Sequence, residues 1–127
     1  MKTYTGMIVD GQKVVYVRYP GGAKVVMPKH LKHSKEDKFD WGQNSGESLN
    51  TALSLLMNAF ATEFCDKVDC MCYNDWVMDA YQTFDAEFVA KLDKNYWKIN
   101  QAAVCDWVFD FLRNKKTQKV EELVTTS

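Results

Sequence analysis

No run in this sequence reaches the roughly 18 consecutive apolar residues that a helix needs to cross a bilayer, which argues against a membrane-spanning helix. The opening Met1-Lys2-Thr3-Tyr4 lacks the apolar stretch and small-residue cleavage site of a secretory leader, so the expected address is the cytoplasm. No serine stands in a nucleophile elbow, and no G-x-x-x-x-G-K-[ST] loop exists to cradle a phosphate. Histidine is scarce. Its two copies, His30 and His33, sit in a lysine-rich connection with no visible acid–base partner, although imidazole titrates near neutrality. The carboxylates Asp75, Asp79, Asp85 and Asp93 are spread as a solvated helix face would be. With no catalytic set and no cofactor motif, the expectation is a protein that is not an enzyme and carries no cofactor.

What is present is enough for one core. The chain has 127 residues, 46% of them hydrophobic and 13% aromatic, which suits a single domain and not a disordered chain. Its net charge of −1 conceals an uneven distribution. Residues 1–38 carry eight Lys/Arg against three Asp/Glu, and residues 39–112 carry four against twelve. A basic front joined to an acidic body could steer partners of opposite sign, although helices also expose acidic residues simply to face water. Neither an internal repeat nor a low-complexity segment interrupts the chain.

The first third reads as strands. Thr5 to Val9 leads into Asp10-Gly11, a hairpin dipeptide, and then into Val14-Val15-Tyr16-Val17-Arg18-Tyr19, rich in β-branched and aromatic residues. Pro20-Gly21-Gly22 punctuates, and Lys24-Val25-Val26-Met27 is a third short strand ending at Pro28. After a polar connection at 29–46 the period changes. Leu49, Ala52, Leu53, Leu56, Phe60 and Phe64 define one helical face, with Asn44 and Glu47 spaced as a capping box. A second helix runs from about Asn74 through Leu92, closed by Lys94-Asn95. A third begins near Asn100, a good N-cap, and presents Val104, Trp107, Val108, Phe111 and Leu112. The expected fold is α+β, a three-stranded antiparallel sheet at the N-terminus packed against about three α-helices. The domain spans residues 1–113, and 114–127 form a polar, flexible tail.

The segment Phe39-Asp40-Trp41-Gly42-Gln43-Asn44-Ser45-Gly46, followed by Leu49, Ala52, Leu53, Leu55 and Leu56, resembles an uncharacterised family of bacterial and phage proteins, a domain of unknown function. That family is marked by a β-rich start and F-x-W-G-x-x-x-S-G before a Leu/Ala-rich helix; here two residues, Gln43-Asn44, stand between Gly42 and Ser45 where the motif has three. Tyr4, Gly6, Leu31, His33 and Ser34 ahead of the motif, and the stretch from Tyr81 to Trp107 behind it, are also similar. The resemblance covers most of residues 4–112. It implies the same kind of fold and a phage or mobile-element setting, and it implies no activity.

Four local features invite function. The Trp41, Gly42, Ser45 and Gly46 loop enters a helix N-terminus, where free N–H groups attract anions; equally, Trp41 could plug the sheet–helix junction while the two glycines permit an awkward backbone. Cys65, Cys70, Cys72 and Cys105 lack the paired spacing of a zinc site and read better as free thiols, so no metal is expected. Lys29, Lys32, Lys35 and Lys38, with Arg18 and the Arg113–Lys119 tail, could neutralise nucleic-acid phosphates, against which stand Glu36, Asp37 and a pI near 6.1. Tyr73, Trp76, Tyr96 and Trp97 flank the core faces and could anchor a protein partner, or equally be buried. The leading expectation is a non-enzymatic protein-interaction domain of phage or mobile-element type. The alternative is a nucleic-acid-associated protein using the basic front.

Overall fold

Two residues set the first hairpin. Asp10 and Gly11 both take positive φ, 51° and 77°, the type I′ geometry whose twist matches that of the strands it joins. They connect β1 (Thr3–Val9) to β2 (Gln12–Arg18), with Val9 opposite Gln12 and Thr3 opposite Arg18. A second turn at Tyr19-Pro20-Gly21-Gly22 is closed by the Gly22 N–H donating to Tyr19 O at 3.1 Å, and it delivers the short β3 (Lys24–Val26). The computed structural model describes residues 1–27, 38–43, 45–60 and 75–125, in backbone alone at 75–78 and 115–125.

The sheet has four strands, not the three read from the sequence. Its order is β3-β2-β1-β4, antiparallel throughout, and β4 (Tyr96–Asn100) pairs along the free edge of β1 from Met7 opposite Tyr96 to Thr3 opposite Asn100. Five residues between two helical patterns carry little periodic signal. Their pairing partner lies some ninety residues earlier in the chain, so only the assembled fold makes them a strand.

The helical layer packs on one side of this sheet. α1 (Gly46–Phe60) is buried at 11 of its 15 residues, including Ser48, Asn50, Thr51, Ser54 and Asn58. It lies between the inner sheet face and the other helices, α2 (Asp75–Glu87) and α3 (Gln101–Thr125), so its polar positions are enclosed as well as its apolar ones. Buried polar groups need partners. Asn50 Nδ2 donates to Lys38 O at 3.0 Å, Thr51 Oγ1 donates to Asp40 O at 2.7 Å, and Ser48 Oγ donates to Asp85 Oδ2 at 3.0 Å. Asp85 is therefore buried, and of the acidic face expected of Asp75, Asp79, Asp85 and Asp93, Asp79 and Asp93 are exposed, while the Asp75 side chain lies outside those described.

Helix ends show where local signals were right and where they were not. α1 is capped by Ser45: the Ser48 N–H donates to Ser45 Oγ at 3.1 Å and the Ser45 N–H donates to Ser48 Oγ at 2.9 Å. This reciprocal pair replaces the expected Asn44–Glu47 box, with Glu47 at the second helical position; Asn44 lies outside the described residues. The far end of α1 has no basic residue in its last turn, and the residue just before β1 supplies one. The buried Lys2 ammonium donates to Asn58 O at 2.7 Å, while Gln101 Nε2 donates to Ala59 O at 2.6 Å, so two terminal carbonyls are satisfied from elsewhere in the fold. α2 stops at Glu87, earlier than the sequence pattern suggests, and a 3-10 turn at Val89–Lys91 follows. α3 starts as expected, the Ala103 N–H donating to Asn100 Oδ1 at 2.9 Å. Its backbone stays helical to Thr125, past residue 113 where the apolar periodicity fades.

Candidate functional site

The FDWG loop entering α1 is built as architecture. Trp41 is fully buried, meets Trp97 edge-to-face at 5.5 Å between ring centroids, and donates its indole N–H to Lys94 O at 3.1 Å. Gly42 has φ +74°, and a Cβ there would stand 2.7 Å from Lys94 Cγ and 3.0 Å from Leu92 O, so both torsion and space require glycine. Gly46, by contrast, is simply the first residue of α1 with helical backbone. Asp40 organises the loop. Its carboxylate accepts from the Lys13 ammonium, from the Trp41 N–H at 2.9 Å, from Gln43 Nε2 at 2.8 Å and from Ser45 Oγ at 2.8 Å. Burial pushes the Asp40 carboxyl up, but the hydrogen bonds from Lys13, Gln43, Ser45 and Trp41 outweigh it and hold the carboxyl below its usual value. The chain's own carboxylate thus bonds the capping serine, at the place where an incoming anion would approach the helix.

The other sequence candidates are scattered. Trp97 is only 5% exposed and points into the core, which withdraws it from any protein-binding surface. Alternation decides this: Trp97 and Ile99 face inward with Tyr4, Val15 and Val17, and their neighbours Tyr96 and Lys98 face outward. Trp76 lies on α2 with only its backbone described, and Tyr73 lies outside the described residues. So do Lys29, Lys32, Lys35, His30, His33, Cys65, Cys70 and Cys72. Lys38 is exposed just before the FDWG loop. Cys105 is half-buried on α3, and burial pushes its thiol up, away from thiolate character.

The outer face of the sheet brings together a different set. Among the described residues no helix packs on the outer face, and an open groove of about 210 Å³ runs across it. β1 contributes Thr3, Thr5 and Met7, β2 contributes Tyr16 and Arg18, β3 contributes Lys24, and β4 contributes Tyr96 and Lys98. The strand register arranges them in rungs. Lys24, Arg18 and Thr3 form one, Tyr16, Thr5 and Lys98 the next, and Met7 and Tyr96 the third. Lys24 Nζ sits 4.6 Å from the centroid of the Tyr16 ring, and the Arg18 guanidinium donates to Gly22 O at 3.1 Å. Three cations and two tyrosines therefore line the groove, with no carboxylate among its eight lining residues. Among the described residues, none of the three cations has an acidic partner within salt-bridge distance.

Of this set, sequence reasoning reached Arg18 and Tyr96. Lys24 and Lys98 drew no attention beside the lysine run at 29–38, and Tyr96 was grouped with Trp97. The signal was there in the alternation, Tyr16 with Arg18 and Tyr96 with Lys98 at i and i+2, but it needed the fourth strand to be read.

No helix among the described residues is long and apolar enough to cross a membrane. No curated protein and no solved structure matches this chain. One family model does match, over residues 4–110, which takes in β1 from Tyr4, the other three strands, the FDWG loop, α1, α2 and the first ten residues of α3. The chain belongs to the family of unknown function DUF6166.

Proposed function

We propose that this chain is a non-catalytic nucleic-acid-binding domain whose contact surface is the uncovered sheet face. The observation that carries the reading is the segregation of charge. A chain of net charge −1 gathers Arg18, Lys24 and Lys98 on one face, with no carboxylate among the eight residues that line the groove. Lysine and arginine on an open surface bind polyanions by releasing their counterions, and the tyrosines beside them offer contact area that phosphate alone would not use. The reading of an aromatic protein-binding surface has less support, since Trp97 is buried.

A titration of labelled oligonucleotide with the full chain tests this. Three phosphate contacts give a slope of log affinity against log salt of about −2 to −3. Substituting Arg18, Lys24 and Lys98 together by glutamine flattens that slope, each charge contributing about 1. Absence of salt-dependent binding at low ionic strength, or an unchanged slope in the triple variant, would overturn the proposal.

A further inference from the structure

Resting on that reading, we infer that the groove takes single-stranded rather than duplex nucleic acid, with bases stacked on Tyr16 and Tyr96. Tyr96 is 51% exposed on the outer face, and Tyr16 lines the same groove one rung away, with β1 between them. Strand spacing and rise place their Cα atoms roughly 12 Å apart, two strands across and two residues along. Neighbouring bases in a stacked strand are only about 3.4 Å apart. A strand whose bases reach both rings must therefore open its own stacking, which a single strand does at small cost and a duplex does not. Duplex bases present only their edges, so the ring faces of Tyr16 and Tyr96 would gain nothing from them.

The cations fit the same path. Arg18 and Lys24 stand on the rung beyond Tyr16, and Lys98 stands on the rung of Tyr16 beside Tyr96 on β4. All three cations therefore flank one side of the line joining the two rings, where the phosphates of a stacked strand can be met. The Lys24 ammonium over the Tyr16 ring marks that ring face as open to a ligand from solvent, and a stacked base would displace it toward the adjoining phosphate.

The experiment compares short labelled oligothymidylate and oligouridylate strands with a duplex hairpin of mixed sequence, all titrated with the full chain at low salt. Tighter single-strand binding is expected, and the two single-strand arms distinguish DNA from RNA. Tyr16→Leu and Tyr96→Leu each weaken it about tenfold or more, whereas Tyr16→Phe and Tyr96→Phe retain it, because phenylalanine keeps the ring face. Equal binding of strand and duplex, with the leucine variants unchanged, would overturn the stacking inference. If the glutamine triple variant still lost binding in that case, the nucleic-acid reading itself would stand. No binding to any of the three probes would sink both.

Discussion

Gly6 is the position where one added methyl group should do most harm. It lies on the inner face of β1, opposite Trp97 on β4 and Val15 on β2, and the Trp97 indole lies across its backbone. A Cβ built at Gly6 would stand 2.2 Å from Trp97 Cε2 and Nε1 and 2.6 Å from Cζ2, distances no packing adjustment can absorb. Gly6 does not have positive φ, so the backbone would accept alanine, and a less flexible unfolded chain would favour it by about 0.5–1 kcal/mol. Against that, the ring must leave its site, where it packs edge-to-face on Trp41. Overpacking costs about 1–3 kcal/mol, and loss of the indole's burial adds to it. The net expectation for Gly6→Ala is a loss of about 2–4 kcal/mol. Trp97→Leu removes the clashing atoms at its own cost, and in that background Gly6→Ala should be close to neutral. The cycle should therefore show a coupling of about 2–4 kcal/mol. Urea unfolding of the four proteins at constant m-value measures it. Equal effects of Gly6→Ala in both backgrounds, or a cost below about 0.5 kcal/mol, would refute the argument. The same contact seats β4, so the clash should also disturb Tyr96 and Lys98 on the opposite face.

Three further substitutions test the FDWG loop. Asp40 has a folded-state pKa below its unfolded one. Its contribution is therefore complete at neutral pH and is lost as pH falls from the ordinary carboxylate value near 3.9 through the lower folded value. Asp40→Asn should destabilise at pH 7, with the gap to the parent protein narrowing below about pH 4 in parallel urea titrations. Gly42→Ala meets both an unfavourable φ of +74° and the Leu92 carbonyl, and should cost about 2 kcal/mol, read as a lowered Tm; an unchanged Tm would contradict the assigned turn. Ser45→Ala removes the cap of α1 and one ligand of Asp40, with an expected loss of about 1–2 kcal/mol, and Ser45→Thr should recover most of it in the same melt.

Much of this architecture was readable from local chemistry. The Asp10-Gly11 hairpin, the Asn100 cap and the buried faces of all three helices depend on a few adjacent residues or on one period, so a single chain displays them. The fourth strand, the capping role of Ser45 and the burial of Asp85 depend on which elements come together. β4 exists because β1 has a free edge, and Asp85 is enclosed because Ser48 faces it. The sites divide in the same way. Trp41 as a junction plug was legible as a large aromatic beside a turn glycine, whereas Tyr96 and Trp97 were left together between surface anchor and core, because neighbouring aromatics look alike without the alternation of a known strand. The sequence alone determined the class of the fold, its turns and its amphipathic faces, because these follow from torsional preference and periodicity within one segment. Only the tertiary structure decided which sheet face stays bare and which cations and tyrosines share it, because those residues come from four separate strands and meet only through long-range pairing.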